Sequence, residues 1–475
     1  PHPFRATDLP SRHVEGRAPA ESEFVDAEFA GALEDARELL PSLRSVDLQK
    51  KLNGIFSFTP DGMPIMGEST IVRGLWVAAA VWITHAGGVG KTMAEGMTTG
   101  ETEWDTRECD IARFEPHALE NGYVFKRSMQ QYREVYDIVH PLEPASEPRN
   151  IRRSPWHAQQ VAMGAHFAES GGWERPRWYA ANAMEAPATF HRSGWEAVEW
   201  SPAAATEHLA TRERAGLFDM STFAKFEVTG DGALTFLQHI AANQIDRPIR
   251  SVIYTAMLTP SGGIRCDLTI IRTSDQRFLI MTGGSTGAYD LSWLTSHAQE
   301  WPDVQINDIS GDLRCIGLWG PKSREILSTI TCDDVSNEAL SYLSTADLTV
   351  GDIPVLAVRI SYVGELGWEL YCPTEHGSRF WDILWEAATP HGAVVAGTTA
   401  QDSLRLEKGY RLWGADIHTE HNPIQAGLGF AVDMDKGEFI GRDALVKIRA
   451  GGVERRLRCI TLDDPARVVM GKEPI

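Results

Sequence analysis

The sequence predicts an α+β chain of more than one domain, and three observations carry that reading. Short alternating apolar runs and amphipathic helical stretches follow one another in mixed order, without a regular β-α-β rhythm. The 475 residues are enough for roughly two to four domains with a large core. Hydrophobic residues make up 43% and charged residues 23%, the balance of a globular protein.

In chain order, residues 1 to 45 are polar and acidic, with a helix expected over Glu21 to Leu40. In the stretch Lys51 to Glu68, alternating apolar residues run into Pro60-Asp61-Gly62, a turn signal between two short strands. Gly74 to Gly100 reads as a buried strand, a glycine turn, and a helix ended by Gly100. Residues 104 to 155 are mixed and close on the Pro-rich run Pro141 to Pro148, read as a connector. Beyond it, strands alternate with amphipathic helices, as in Ala224 to Gly230 followed by Ala233 to Ile240. No internal repeat or low-complexity tract occurs.

Charge and composition remove several functions. With 45 Lys+Arg against 65 Asp+Glu the net charge is −20, so a basic face for nucleic acid or anionic lipid is not expected. The longest uninterrupted apolar run, Leu75 to Ile83, is too short to span a bilayer. The six cysteines are scattered with no C-x-x-C, which reads as reduced thiols of a cytoplasmic protein. The 15 tryptophans point first to packing and second to stacking on a planar ligand. His418-x-x-His421 lacks a third ligand at metal-site spacing, so no metal is expected. The chain has no initiator Met and stops inside a strand-and-turn pattern, so a piece of a longer protein is expected.

Gly90-Lys91-Thr92 imitates a phosphate loop, but that motif needs Gly where His85 stands. What remains is a strand end and a helix start, either an ordinary turn or a place for a flavin. The N1–C2=O edge of a flavin becomes anionic on reduction, and a helix N-terminus stabilises negative charge.

Two resemblances enter on these residues. Gly54 to Gly100 resembles the end of the FAD domain of the glycine/D-amino-acid-oxidase type, in the branch that includes dimethylglycine and sarcosine dehydrogenases. That resemblance implies FAD contacts at Val81, Trp82, Ile83 and Thr84. The Gly-rich dinucleotide fingerprint of that family is not found near the start of this chain. Four further pieces, Arg214 to Ser221, Tyr254 to Thr269, Ser361 to Tyr371 and Asp402 to Asp416, resemble in order and spacing the folate-binding domain of the glycine-cleavage aminomethyltransferases.

Together they imply the C-terminal part of a FAD-dependent oxidoreductase domain followed by an aminomethyltransferase-like folate-binding domain. The boundaries read as 1–103, a central connector 104–155, the folate domain 156–450, and the start of a β-barrel at 451–475. The implied activity is oxidative demethylation of an N-methylated glycine, with tetrahydrofolate taking the one-carbon unit as 5,10-methylenetetrahydrofolate. The implied partners are small molecules only. An aminomethyltransferase without oxidase activity and a non-catalytic folate-binding module remain the alternatives.

The residues fit that chemistry. Asp267 lies on an expected strand over Ile264 to Ile271, and alternation puts Thr269 on its face. A carboxylate beside a reduced pterin can take a proton from an attacking nitrogen. The resemblance assigns that catalytic role, near folate N10, to Asp267. It also implies tetrahydrofolate contacts at Tyr254, Thr269, Met281, Glu369, Leu370 and Tyr371. Glu369 and Tyr371 alternate on another expected strand, Trp368 to Cys372, and Glu369 can accept two hydrogen bonds from the N3–H and 2-amino group of a pterin. Glu365, in the Gly-Glu-Leu-Gly turn, reads as ordering its loop. Tyr254 and Tyr371 either stack on the ligand, bond to it, or pack in the core. Arg405 and Arg411 offer either a contact for the folate tail or structural ion pairs, the latter favoured for Arg405. Cys266 and Gln425 stand where many relatives carry an acid.

Overall fold

A computed structural model describes residues 21–54, 57–137, 139, 143–185, 201–464 and 469. The oxidoreductase-like part comes first. Strand β1 (Glu21–Ser22) precedes helix α1 (Asp26–Leu39), and β1 pairs with β2 (Asn53–Gly54). The expected helix therefore starts at Asp26 rather than Glu21, because the residues before it are spent on that strand pair. Pro60-Asp61-Gly62 does form a turn. The strands it separates do not pair with each other: β3 (Ile65–Glu68) pairs with β4 (Trp76–Ala79). That β4 strand is only partly buried.

Helix α2 (Ala86–Thr99) begins one residue before Gly87, so Gly87, Gly88 and Gly90 belong to its first turns instead of a preceding turn. Gly100 caps it in the left-handed region with φ 78, which glycine adopts without a Cβ clash. Within the expected connector, helix α3 (Asn121–Glu134) is the longest element. Of the Pro-rich run, Pro141 and Leu142 lie outside the described residues.

From residue 157 the chain builds layers. Helix α4 (His157–Ala162) leads into the hairpin β5 (Ala165–Ser170) and β6 (Trp173–Tyr179), and helix α5 (Pro202–Glu213) follows. The next elements are β7 (Gly216–Asp219), β8 (Ala224–Thr229), helix α6 (Ala233–Ile240), β9 (Val252–Leu258), β10 (Ile264–Arg272), β11 (Arg277–Thr282) and helix α7 (Gly287–Ala298). Then come β12 (Gln305–Asp308), β13 (Leu313–Trp319), helix α8 (Ser323–Ile330), β14 (Thr345–Val350), β15 (Ile353–Val358) and β16 (Gly367–Pro373). Helix α9 (Gly377–Ala388), β17 (Val394–Ala396) and helix α10 (Thr398–Glu407) complete the sheets.

The strands form a five-stranded antiparallel sheet, β12-β8-β11-β10-β9, and a six-stranded sheet, β14-β15-β16-β13-β7-β17. Among the described residues of these two sheets, only β17 runs parallel to its neighbour, β7. Alternation divides the side chains of each sheet between two cores. Phe226, Val228, Ile270, Phe278 and Ile280 pack outward on α6 and α7. Leu217, Ile316, Leu318, Trp368 and Leu370 pack outward on α8 and α9. The opposite faces meet in a third layer holding Phe218, Val252, Ile271, Leu279, Met281, Cys315, Trp319, Val358 and Tyr371. The order is helix, sheet, sheet, helix, and the central layer is where polar residues of both sheets come together.

Candidate active site between the sheets

Register decides which candidates meet. Tyr254 on β9 stands opposite Thr269 on β10, Thr269 opposite Met281 on β11, and Met281 opposite Lys225 on β8. These four residues form one transverse row on the face turned to the second sheet, and Asp267 shares that face two residues before Thr269. On β16 of the facing sheet, Glu369 shares its face with Tyr371, which lies in the central layer with Met281. Tyr254, Asp267, Thr269 and Met281 thus share the inner face of the five-stranded sheet, and Glu369 and Tyr371 that of the six-stranded sheet; Met281 and Tyr371 meet in the central layer, while Tyr254 packs beside the neighbouring cluster of Ile417, Ala426 and Phe439. Leu370 is the exception: its side chain is buried in the outer core with Trp368.

Two carboxylates on these faces are held by tyrosines. Tyr254 Oη donates to Asp267 Oδ2 at 2.6 Å. Burial is the main cause that pushes the Asp267 pKa up to about 6, and the Tyr254 hydrogen bond opposes it. Tyr371 Oη donates to Glu369 Oε2 at 2.7 Å. Burial pushes Glu369 up to about 7, against the Tyr371 bond and the Lys225 charge. A carboxyl raised into this range can both hold and release a proton near neutral pH.

The remaining candidates divide cleanly. Glu365 binds Arg212 at 2.9 Å and Lys408 at 3.6 Å, so it ties its loop. Arg405 is paired with Asp402 and Asp416, a structural cluster. Arg411 donates to the backbone carbonyls of Ala426 and Gly409. Gln425 closes a capping box with Asn422. Cys266 is buried on the opposite face of β10, in the outer core. His418 and His421 contact each other edge to face, and no group of three His, Cys, Asp or Glu among the described residues is arranged to hold a metal ion.

On the oxidoreductase side, Trp82 Nε1 donates to the Gly62 carbonyl at 3.2 Å, and the indole meets Phe58 edge to face. That pins Val81 to Thr84 at the entry to α2. Ile83 projects outward, 95% exposed. The first turn of α2 holds no acid and no side chain caps it, and a Cβ added at Gly87 or Gly88 would meet nothing within 4 Å. These residues fit one wall for a planar ring with an anionic edge. A cleft of 1040 Å³ lies where this part meets the five-stranded sheet and helix α7, lined by Arg73, Glu115, Arg152, Thr222 and Ser310 among others.

Two aromatic residues at the folate-side site escaped sequence reasoning. Phe430 stacks on Tyr254 with centroids 5.9 Å apart. Tyr362 donates to the Arg411 carbonyl at 2.7 Å and stacks on Tyr410. Tyr362 lies inside the Ser361 to Tyr371 stretch, so its signal was present. Phe430 becomes visible only when the chain after α10 returns to β9.

The geometry is bipartite: a segment with a glycine-rich helix start comes first, and a domain of two facing sheets that carries two tyrosine-held carboxylates follows. Family models match in that order: "FAD dependent oxidoreductase" over residues 6–96, "FAD dependent oxidoreductase central domain" over 99–154, and "GCVT N-terminal domain" over 156–436. The chain belongs to the aminomethyltransferase (GCVT) family, with FAD-dependent oxidoreductase domains ahead of that unit.

It is 33% identical over 431 residues to human mitochondrial dimethylglycine dehydrogenase, covering 90% of this chain and 49% of that protein. It is 36% identical over 453 residues to the 4-methylaminobutanoate oxidase (formaldehyde-forming) of Paenarthrobacter nicotinovorans, covering 94% and 54%. An aminomethyltransferase of Chlorobium luteolum is 35% identical over 295 residues, covering 62% of this chain and 74% of that protein. The crystal structure of the glycine cleavage system aminomethyltransferase T of Bartonella henselae superposes with a TM-score of 0.53 at 25% identity, covering 64% and 76%. The chain spans about half the length of the dimethylglycine dehydrogenase and methylaminobutanoate oxidase relatives. Among the described residues no helix is long and apolar enough to cross a membrane.

Proposed function

We propose that this chain is part of a fused flavin–folate enzyme that oxidatively demethylates an N-methylated glycine, dimethylglycine or sarcosine, and passes the one-carbon unit to tetrahydrofolate. The observation that carries the reading is the pair Asp267 and Glu369, each held by a tyrosine on the inner face of its sheet, in a chain whose preceding segments match FAD-dependent oxidoreductases. Removal of a hydride equivalent from the N-methyl group is the chemistry that FAD supplies. Val81 to Thr84 and the start of α2 are the residues that would hold it in this chain. Tetrahydrofolate, when bound, accepts the one-carbon unit at its amines.

In this reading Glu369 holds the amide edge of the pterin through the N3–H and 2-amino groups, which requires its ionised form. Asp267 orients the reactive nitrogen and takes its proton as the carbon bond forms, while Tyr254 fixes the carboxylate in place. Tyr254 and Phe430 offer ring faces to the remainder of the ligand. The buried setting keeps water from an iminium that would otherwise hydrolyse to formaldehyde. A stand-alone aminomethyltransferase has no use for the flavin-covering segment, which disfavours the alternative without oxidase activity.

The test uses the full-length holoenzyme with dimethylglycine, sarcosine and 4-methylaminobutanoate, scoring flavin reduction, formaldehyde and 5,10-methylenetetrahydrofolate. Reduction by a methylated glycine with product appearing as methylenetetrahydrofolate is expected. Formaldehyde as the sole one-carbon product in saturating tetrahydrofolate would remove the folate half of the proposal. Reduction by 4-methylaminobutanoate alone would replace the amine.

A further inference from the structure

Lys225 is fully buried at the end of the row Tyr254, Thr269, Met281, on the face that carries Asp267. Its Nζ donates to the Ser221 carbonyl at 3.2 Å and to the Phe223 carbonyl at 2.8 Å. An ammonium has three N–H donors, so one remains. Among the described residues no carboxylate is paired with it and no third acceptor is present. A buried cation without a counter-ion is costly, and a fold that keeps one where Met or Leu would pack gains something for it. Burial lowers its pKa to about 8, so the charge persists at neutral pH. Against that burial, Cys315, Asp219 and Glu369 on the facing sheet act to raise the Lys225 pKa and Arg314 to lower it, and Lys225 in turn lowers that of Glu369.

The geometry points to a pterin-reading role: we infer that Lys225 donates its third N–H to the C4 carbonyl oxygen of the pterin whose N3–H and 2-amino group Glu369 accepts. C4=O is bonded directly to N3 through the ring carbon, so a ligand held by Glu369 along N3 presents that oxygen beside the carboxylate. There it needs a donor. Glu369 and Lys225 together then read a three-point acceptor and donor pattern, and both favour a 4-oxo ring: a 4-amino ring has no N3–H for Glu369 and no carbonyl oxygen for Lys225, so the share of the preference lost with the ammonium is the share Lys225 carries. A 4-amino group presents N–H to an ammonium and leaves the buried donor unpaired. The inference rests on the folate reading of this space and adds a specificity-determining residue to it.

Anaerobic calorimetry on the full-length holoenzyme tests it with two probes, tetrahydrofolate and its 4-amino analogue. The wild type is expected to prefer tetrahydrofolate. Lys225→Met is expected to weaken tetrahydrofolate by roughly 10- to 100-fold, the range of one hydrogen bond to a charged group, and to change the analogue far less. Lys225→Gln, which keeps an N–H donor, should recover part of the preference. Equal losses for both ligands in Lys225→Met, or unchanged affinities, overturn the inference. A wild type without preference does the same and needs no variant to fold. If the wild type binds neither ligand, the folate reading itself fails and this inference with it, whereas tetrahydrofolate binding without discrimination removes only the role of Lys225.

Discussion

Helices α2 and α9 are of similar length and pack differently within this chain, which spans about half the length of its dimethylglycine dehydrogenase and methylaminobutanoate oxidase relatives. Along its 14 residues α2 buries none, and its first turns are Ala, Gly, Gly, Val, Gly. Along its 12 residues α9 buries Gly377, Phe380, Trp381, Leu384 and Ala388 against the six-stranded sheet. The same contrast runs through the two halves. Around α2, Ile71, Leu75 and Ile83 stay exposed, while the sheets of the folate-side domain enclose three apolar layers. A helix can thus be ended by its glycine cap without an apolar stripe packed in this chain, or be specified by an apolar stripe, for a core. Only the second kind contributes much stability on its own.

The largest expected effect is on local stability. Amides of α2 are expected to exchange with solvent at least about 100-fold faster than those of α9 in the 475-residue chain, because exchange follows local opening. Hydrogen-exchange mass spectrometry checks this, and equal protection would break the contrast. Within the folate-side half, Asp267→Ala is expected to slow methylene transfer by roughly 100- to 10,000-fold, the range of a lost general base, while tetrahydrofolate affinity stays within about tenfold. Single-turnover kinetics beside calorimetry separates the two. Glu369→Gln should show the reverse pattern, a loss of roughly 1.5–3 kcal/mol in tetrahydrofolate binding from the missing charge-assisted hydrogen bonds, with a smaller effect on the bound reaction.

The smallest expected effect is in pH-dependent stability. Asp267 is raised from 3.8 to about 6, Glu369 from 4.5 to about 7, and Glu207 from 4.5 to about 8, all chiefly by burial. Glu207 accepts from Tyr179 N, Asn182 Nδ2 and Gly397 N, which tie α5 to β6 and the start of α10. Between the unfolded and folded pKa values the native state holds more protons than the unfolded chain. The stabilisation from these groups is therefore complete below about pH 4 and is lost as pH rises through 6 to 8. Urea melts of the wild type and of Glu207→Gln across that range should show the wild type falling and the variant falling less. Parallel curves would place the sensitivity elsewhere.

How much of this was legible in the sequence follows the same division. Strands β8, β10 and β16 and helix α6 were read closely, because period-two and helical patterns are strong where one face is buried. Asp267 with Thr269, and Glu369 with Tyr371, came to the same faces that alternation required. The start of α1, the pairing of β3 and the start of α2 were not legible. The first two depend on which distant segment supplies a strand partner, and the third on glycines that signal turns locally yet sit inside a helix. Leu370 was carried into the site by a three-residue run, but alternation turns its side chain to the outer core. Lys225 gave no local signal, since its meaning arises only when β8 is aligned through β11 and β10 with Tyr254.

The central claim is that the two sheets close on a single reduced pterin, and a crystal structure of the full-length protein with tetrahydrofolate tests it most directly. The account requires the Glu369 carboxylate within hydrogen-bond distance of the pterin N3 and 2-amino group, with Asp267 beside the N10 end. A ligand seated elsewhere, or one that leaves both carboxylates without contact, would contradict it.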